Sequence, residues 1–144
     1  MKKVLFIFVG VLLCSLALAQ NVTPLYIVYQ ENNSNQYKNV NAYWNHENQN
    51  LDEDIYGFTR IPCDNVALTV ATINKRNYIE INQSQLASYG VKTDEQVLDM
   101  LRPKSYSEEI KFFMDLEREQ KLFVVEILPN NKARIYQVRN ITSR

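Results

Sequence analysis

The sequence predicts an α+β fold in which two to three helices pack on one face of an antiparallel β-sheet. Three observations support this fold class. Strand-like runs fill the first half of the chain, helix signals cluster between residues 84 and 118, and two strand-like runs follow them. An order of strands, helices and strands favours helices that are segregated from the sheet rather than alternating with its strands. We therefore expect an N-terminal meander and a C-terminal hairpin.

The first expected strands are short, β-branched and aromatic. The run from Pro24 to Tyr29 is typical of a strand that is buried on both faces. The polar tract from Glu31 to Asn39 favours a hairpin loop, because Asn, Gln and Ser side chains bond to the local backbone. Val40 to Asn45 alternates apolar and polar residues, which predicts a half-solvated strand with Trp44 pointing inward.

Three more strands complete the expected meander. After a second polar loop, Asn45 to Asp54, a strand is expected from Ile55 to Ile61. Pro62 closes this strand because proline cannot donate a hydrogen bond to a ladder. Val66 to Ile81 predicts a hairpin, with its turn at Asn74 to Asn77.

The helix signals come next. Ser84 to Tyr89, followed by Gly90, predicts one or two helical turns with a glycine C-cap. Thr93 to Gln96 has the form of a capping box, and the helix that it starts must stop before Pro103. A longer helix is expected from Ser107, with acidic residues in its first turn and an inner stripe formed by Ile110, Phe113, Met114 and Glu117.

The end of the chain has the pattern of a β-hairpin. Lys121 to Leu128 and Lys132 to Val138 are strand-like runs, and the turn-forming tripeptide Pro129 to Asn131 separates them. We therefore expect these two strands to be antiparallel neighbours.

The beginning of the chain predicts export. Lys2 and Lys3 precede an apolar run from Val4 to Leu13, and Ala17-Leu18-Ala19 stands before Gln20. This is the pattern of a secretory signal peptide. The apolar run is too short for a membrane anchor.

Residues 1–19 are therefore predicted to be a signal peptide and residues 20–144 a single α+β domain. Cys14 follows Leu13 rather than a small residue, so the sequence does not favour a lipoprotein. We expect the mature chain in the periplasm or outside the cell, without attachment to a membrane.

Composition excludes several classes of function. The 16 basic and 16 acidic residues balance in the full chain, and the loss of Lys2 and Lys3 with the leader makes the mature chain slightly acidic, so nothing in its charge indicates nucleic acid or an anionic membrane as a partner. The chain has three glycines, which do not form a glycine-rich phosphate loop. Because the chain has a single histidine, it cannot contain a two-histidine zinc motif. No cofactor and no metal are predicted.

Two enzymatic alternatives stay open. Cys63 is unpaired once the leader is removed, and it could act as a nucleophile with His46 as its base. A carboxylate pair could also serve a small exported hydrolase, although no pair stands out.

Asp52 and Asp54 begin a pattern like a calcium loop, but Cys63 stands where a bidentate Glu is needed. No residue is therefore assigned as catalytic or metal-binding.

Tyrosine is the most promising positive feature. The chain has nine tyrosines, and a tyrosine combines an apolar face with a hydroxyl that suits interfaces. Tyr37, Tyr43 and Tyr56 lie in or beside the Asn-rich loops and are the predicted binding residues. The structural alternative is an ordinary tyrosine of a strand, with its hydroxyl at the rim. The expected function is a small exported, non-catalytic binding protein, with a protein or a glycan as its partner.

Overall fold

The computed structural model describes residues 21–39, 53–58 and 69–143. In these residues six strands form one sheet, in the order β1-β5-β6-β4-β3-β2. The strands are β1 Leu25–Tyr29, β2 Gln36–Asn39, β3 Glu53–Phe58, β4 Thr69–Asn82, β5 Leu122–Ile127 and β6 Lys132–Ser143. A 3₁₀ turn and three α-helices lie between β4 and β5: Gln83–Gln85, α1 Leu86–Tyr89, α2 Asp94–Leu101 and α3 Tyr106–Arg118. The predicted α+β class is confirmed.

The sheet is mixed, so the expectation of a purely antiparallel sheet is wrong. Strand β1 pairs with β5 in parallel, with Leu25 opposite Leu122 and Tyr29 opposite Glu126. The other strand pairs are antiparallel. The apolar run at 25–29 predicts a buried strand, but a hydrophobic pattern does not specify which strand will be its neighbour.

The sheet is strongly curved. Strands β1 and β2 occupy opposite edges, although only the segment 30–35 connects them. The Lys38 ammonium on β2 is nevertheless 2.7 Å from the Glu126 carboxylate on β5. Such an approach across the sheet requires its two edges to curl toward each other, as in half of a barrel.

Two segments that the sequence predicts as a loop and a turn form β-strands in the structure. Residues 36–39 belong to the expected hairpin loop, yet they form β2 and pair with β3. Residues 74–77 were expected to turn, yet β4 continues through them as one strand to Asn82. The register shifts there, since Ile73 is opposite Val138 and Tyr78 is opposite Tyr136. The polar residues are accommodated in a bulge opposite β6, which shifts the register without reversing the chain.

The helix ends follow the sequence signals closely. Thr93 Oγ1 accepts a hydrogen bond from the Gln96 backbone, and the Gln96 side chain accepts one from the Thr93 backbone. This confirms the predicted capping box. A second box on Ser105 starts α3 at Tyr106, just before the expected start at Ser107. Gly90 ends α1 with a φ of 61°, a left-handed conformation that glycine adopts without strain.

The core consists of two clusters. Helices α2 and α3 contribute Val97, Leu101, Phe113 and Leu116 to the first cluster, together with strand residues that include Leu122 and Val124. Helix α1 packs Leu86 and Tyr89 against the second cluster, which contains Ile81, Val125, Ala133 and Ile135.

Successive residues of a strand point to opposite faces, so Val124 and Val125 place the two clusters on opposite faces of the sheet. The expectation that all helices pack on one face is therefore wrong for α1.

Several predictions lie outside the described residues. These are the signal peptide at 1–19, the strand at 40–45 with Tyr43 and Trp44, and the His46 and Cys63 side chains. Within the described residues, no helix has the length and apolar character needed to cross a bilayer.

Candidate functional site

A groove lies at the end of the sheet where β1 and β5 finish. Its volume is about 800 Å³. One wall is the turn that joins β1 to β2, and the opposite side is the end of β5. The lining residues are Tyr29, Gln30, Glu31, Asn32, Asn33, Lys38, Glu126 and Ile127. The volume falls within the range of small-ligand sites.

An ion cluster lies at the base of the groove. Lys38 Nζ is 2.7 Å from Glu126 Oε1 and 3.7 Å from Asp54 Oδ2. The Asp54 side chain is only 6% exposed, and the Lys38 ammonium contributes to the compensation of its charge. Lys38 also stands 5.3 Å from the centre of the Tyr56 ring, a cation–π distance.

Two tyrosine hydroxyls lie beside this cluster. Tyr136 Oη donates a hydrogen bond to Glu126 Oε2 at 3.3 Å, whereas Tyr56 Oη has no hydrogen-bond partner among the described residues. Burial, reinforced by the Glu126 charge, raises the pKa of Tyr136 to about 12. Burial also raises the pKa of Tyr56 well above its ordinary value. Both hydroxyls therefore keep their protons at neutral pH.

The turn that forms the groove wall is held by hydrogen bonds. The Gln30 backbone donates to Gln36 Oε1 at 2.7 Å, and the Asn35 backbone donates to Asn33 Oδ1 at 2.9 Å. The Asn33 amide also donates to Asp94 Oδ2, at the start of α2, at 3.4 Å. These bonds match the predicted tendency of the Asn-rich tract to bond to its own backbone. They anchor the turn while Asn32 stays exposed.

The three predicted binding tyrosines have different positions. Tyr56 is 0% exposed in β3, so it cannot be the surface anchor that its position beside a polar loop suggested. Tyr37 pairs with Gly57 through its backbone in β2. Tyr43 lies outside the described residues. The binding roles of Tyr37 and Tyr43 stay predictions.

Sequence reasoning missed the residues that line the groove. Tyr29 ends a buried strand directly before the polar turn, and its ring contacts Tyr56 edge-on with a centroid distance of 5.0 Å. Lys38 is the single basic residue of the tract 31–39, and this isolated positive charge was a sequence signal for an ion pair. Glu126 gave no comparable signal, because only the curvature of the sheet brings it to Lys38.

The described residues give little support to a metal site. They contain no group of three or more His, Cys, Asp or Glu side chains placed to share an ion. Asp54, from the calcium-like pattern, instead forms an ion pair with Lys38, while Asp52 lies outside the described residues.

The site is therefore a polar groove above an ion pair, with aromatic support from Tyr29. Its walls can donate and accept hydrogen bonds, because side-chain amides carry both kinds of group. Comparison with protein-family profiles, with curated proteins and with solved structures finds no match to this chain.

Proposed function

We propose that the protein is an exported, non-catalytic binding protein that holds a neutral glycan in the groove between the β1–β2 turn and β5. The observation that carries this proposal is the lining of the groove. Gln30 and Asn32 offer amide donors and acceptors along one wall, and Tyr29 adds an aromatic ring. Sugars combine hydroxyl groups with apolar C–H faces, so amides and an aromatic ring complement them.

The charges of the groove favour a neutral ligand over an anionic one. Lys38, its cation, is engaged by Glu126 and Asp54. Glu31 adds an exposed carboxylate at the rim. An acidic ligand would meet an excess of negative charge and would have to displace Glu126 from Lys38, which would leave a partly buried carboxylate uncompensated.

Direct titration tests the glycan proposal. Neutral oligosaccharides of glucose, mannose and N-acetylglucosamine are titrated calorimetrically into the protein, and the tightest ligand is carried forward. Tyr29→Ala is expected to weaken its binding about tenfold or more, since aromatic anchors dominate binding energy. Asn32→Ala is expected to weaken it about threefold to tenfold, since it removes a hydrogen-bonding amide.

The matched controls do not line the groove. Tyr106→Ala removes a tyrosine that is 45% exposed on α3, and Asn77→Ala removes an exposed amide from β4. Both controls are expected to bind like wild type. If all four variants bind equally, or if the groove accepts only acidic oligosaccharides, the proposal is wrong.

A hydrolase is the second candidate, because two carboxylates converge on Lys38 at the base of the groove. Glu126 and Asp54 both contact Lys38. A glycosidase pair must hold the substrate between its carboxylates, whereas here the ammonium occupies that space. This geometry favours binding over hydrolysis.

Hydrolysis has its own test. We expect no reducing sugar to be released when the protein is incubated with the oligosaccharide that it binds. Turnover that is lost in both Glu126→Gln and Asp54→Asn, with folding intact, would instead establish a carboxylate hydrolase.

Export is tested independently of the ligand. If the leader is removed after Ala19, N-terminal mass spectrometry of the native protein will find Gln20 as the first residue. An intact Met1 on a membrane-bound product would contradict export as a free protein.

A further inference from the structure

A second cavity lies between the segment that precedes β1 and the two longer helices. Its volume is about 490 Å³, and it shares no lining residue with the groove. The N-terminal segment contributes Val22 and Pro24, α2 contributes Met100, and α3 contributes Phe112. Val22 and Phe112 also pack against the first core cluster, which gives the cavity a fixed apolar wall.

The acidic group of this cavity is already neutralised. Asp115 lines the cavity, but Lys111 and Arg118 of the same helix both bind its carboxylate. The hydrogen bond from Lys111 lowers the pKa of Asp115, so its charge is fully matched by its neighbours at neutral pH.

The basic group of the cavity is not matched in this way. Lys92 lines the cavity, and within the described residues no carboxylate lies within ion-pair distance of its ammonium. Lys104 does not line the cavity, but its Nζ lies 5.7 Å from the centre of the Phe112 ring, which does. The cavity therefore combines apolar walls with uncompensated positive charge.

The position of Lys92 is fixed by its backbone. Its N–H donates to the Tyr26 carbonyl at 2.9 Å, and its carbonyl accepts from the Val28 N–H at 2.9 Å. These bonds attach Lys92 to the outer edge of β1, beside the cavity. Its side chain lines the cavity together with the apolar residues.

We propose that this cavity binds a free fatty acid, with its carboxylate on Lys92 and its alkyl chain along Val22, Met100 and Phe112. Charge complementarity selects an anionic head group, and the apolar lining selects a tail without polar groups. The cavity volume lies within the range of small-ligand sites. This inference does not rest on the glycan proposal, because the two sites have no residue in common.

Decanoate, used below its micellar concentration, is the probe. We expect saturable binding by calorimetry, with NMR shift changes at Val22, Lys92, Met100 and Phe112 but not at Tyr29 or Glu126. Decanol should bind more weakly, and decyltrimethylammonium should not bind. Saturation of the groove with a neutral oligosaccharide should leave the affinity for decanoate unchanged.

Two pairs of variants sharpen this test. Lys92→Gln should weaken decanoate binding about tenfold, because a charge-assisted hydrogen bond is lost, while decanol binding stays the same. Lys132→Gln is the control, since Lys132 bonds to Asn82 far from the cavity. Met100→Glu places a carboxylate in the cavity and should abolish binding.

Met114→Glu is the control for Met100→Glu, because Met114 is 63% exposed on α3 and does not line the cavity. The proposal is overturned if decanoate does not bind, if decyltrimethylammonium binds equally well, or if Lys92→Gln matches wild type. Binding only to anionic vesicles, without binding of decanoate, would also overturn it.

Discussion

The two halves of one sheet face have opposite chemistry. Leu122, Val124 and Glu126 alternate along β5 and therefore share a face. Leu122 and Val124 belong to the first core cluster, which Phe113 and Leu116 of α3 cover. Glu126, at the far end of the same strand, binds Lys38 in the groove. One strand thus contributes to a dry core and to a polar site.

The difference between the halves shows how a small domain combines stability with a binding surface. In the helix-covered half, apolar side chains exclude water and stabilise the fold. In the polar half, the charges compensate one another across strands that are distant in sequence, and a groove remains open. The groove is therefore expected to tolerate conservative changes far better than the core does, except where a change leaves a charge unpaired.

The largest expected effect is in the apolar half. Phe113→Ala is expected to lower the free energy of unfolding by about 3–5 kcal/mol, because it removes a ring that is 1% exposed and leaves a cavity. Urea unfolding measures the change. Met114→Ala, at a residue that is 63% exposed on the same helix, is expected to change it by about 0.5 kcal/mol or less. Equal costs for the two variants would show that α3 does not cover the core through Phe113.

The next effect is in the ion cluster. Lys38→Met is expected to cost about 1–3 kcal/mol of stability, because Glu126 and the buried Asp54 lose their shared counter-charge. Arg102→Met removes a cation from an exposed pair with Asp99 and is expected to cost about 0.5 kcal/mol or less. If Lys38→Met proves as mild as this control, the ion pair contributes no stability in the polar half.

A smaller effect separates two buried hydroxyls. Tyr136→Phe is expected to cost about 1 kcal/mol, since it removes the hydrogen bond to Glu126. Tyr56→Phe removes a hydroxyl without a partner among the described residues, so stability is expected to stay the same or rise slightly. Thermal unfolding of both variants gives the comparison. A larger loss for Tyr56→Phe would mean that its hydroxyl is bonded.

The smallest expected effect depends on pH. The pKa of Tyr136 is raised to about 12 in the folded protein, above its ordinary value of 10.0, so the folded state holds this proton more tightly. The stability gained is fully present below pH 10 and is lost as the pH rises toward 12. The stability difference between wild type and Tyr136→Phe should therefore shrink across this interval in urea unfolding. A constant difference would show that the pKa is not raised.

Much of the fold follows from local patterns. The capping box at Thr93, the glycine C-cap at Gly90 and the hairpin around Pro129 to Asn131 were all predictable, because each depends on residues close together in sequence. The loop predicted at 74–77 was wrong because Asn, Lys and Arg residues are compatible with a bulge as well as with a turn.

The binding residues were less predictable than the elements that carry them. The polar turn after Tyr29 could be recognised from its composition, and it does form one wall of the groove. The position of Tyr56 beside a polar loop suggested an exposed side chain. In β3, however, its side chain points into the interior, and its ring lies under Lys38. Periodicity alone does not reveal which face of a strand will be covered when both faces of the sheet receive helices.

By itself, the sequence determined β1, the β5–β6 hairpin, the helices and the capped helix ends, because these depend on side chains a few residues apart. It also determined the expectation of a leader at residues 1–19. Only the tertiary structure decided that β1 pairs in parallel with β5 and that Lys38 meets Glu126 and Asp54. These contacts join strands that are far apart in the chain, and the free energy that selects them comes from burial and charge compensation across the whole curved sheet, which no local pattern records.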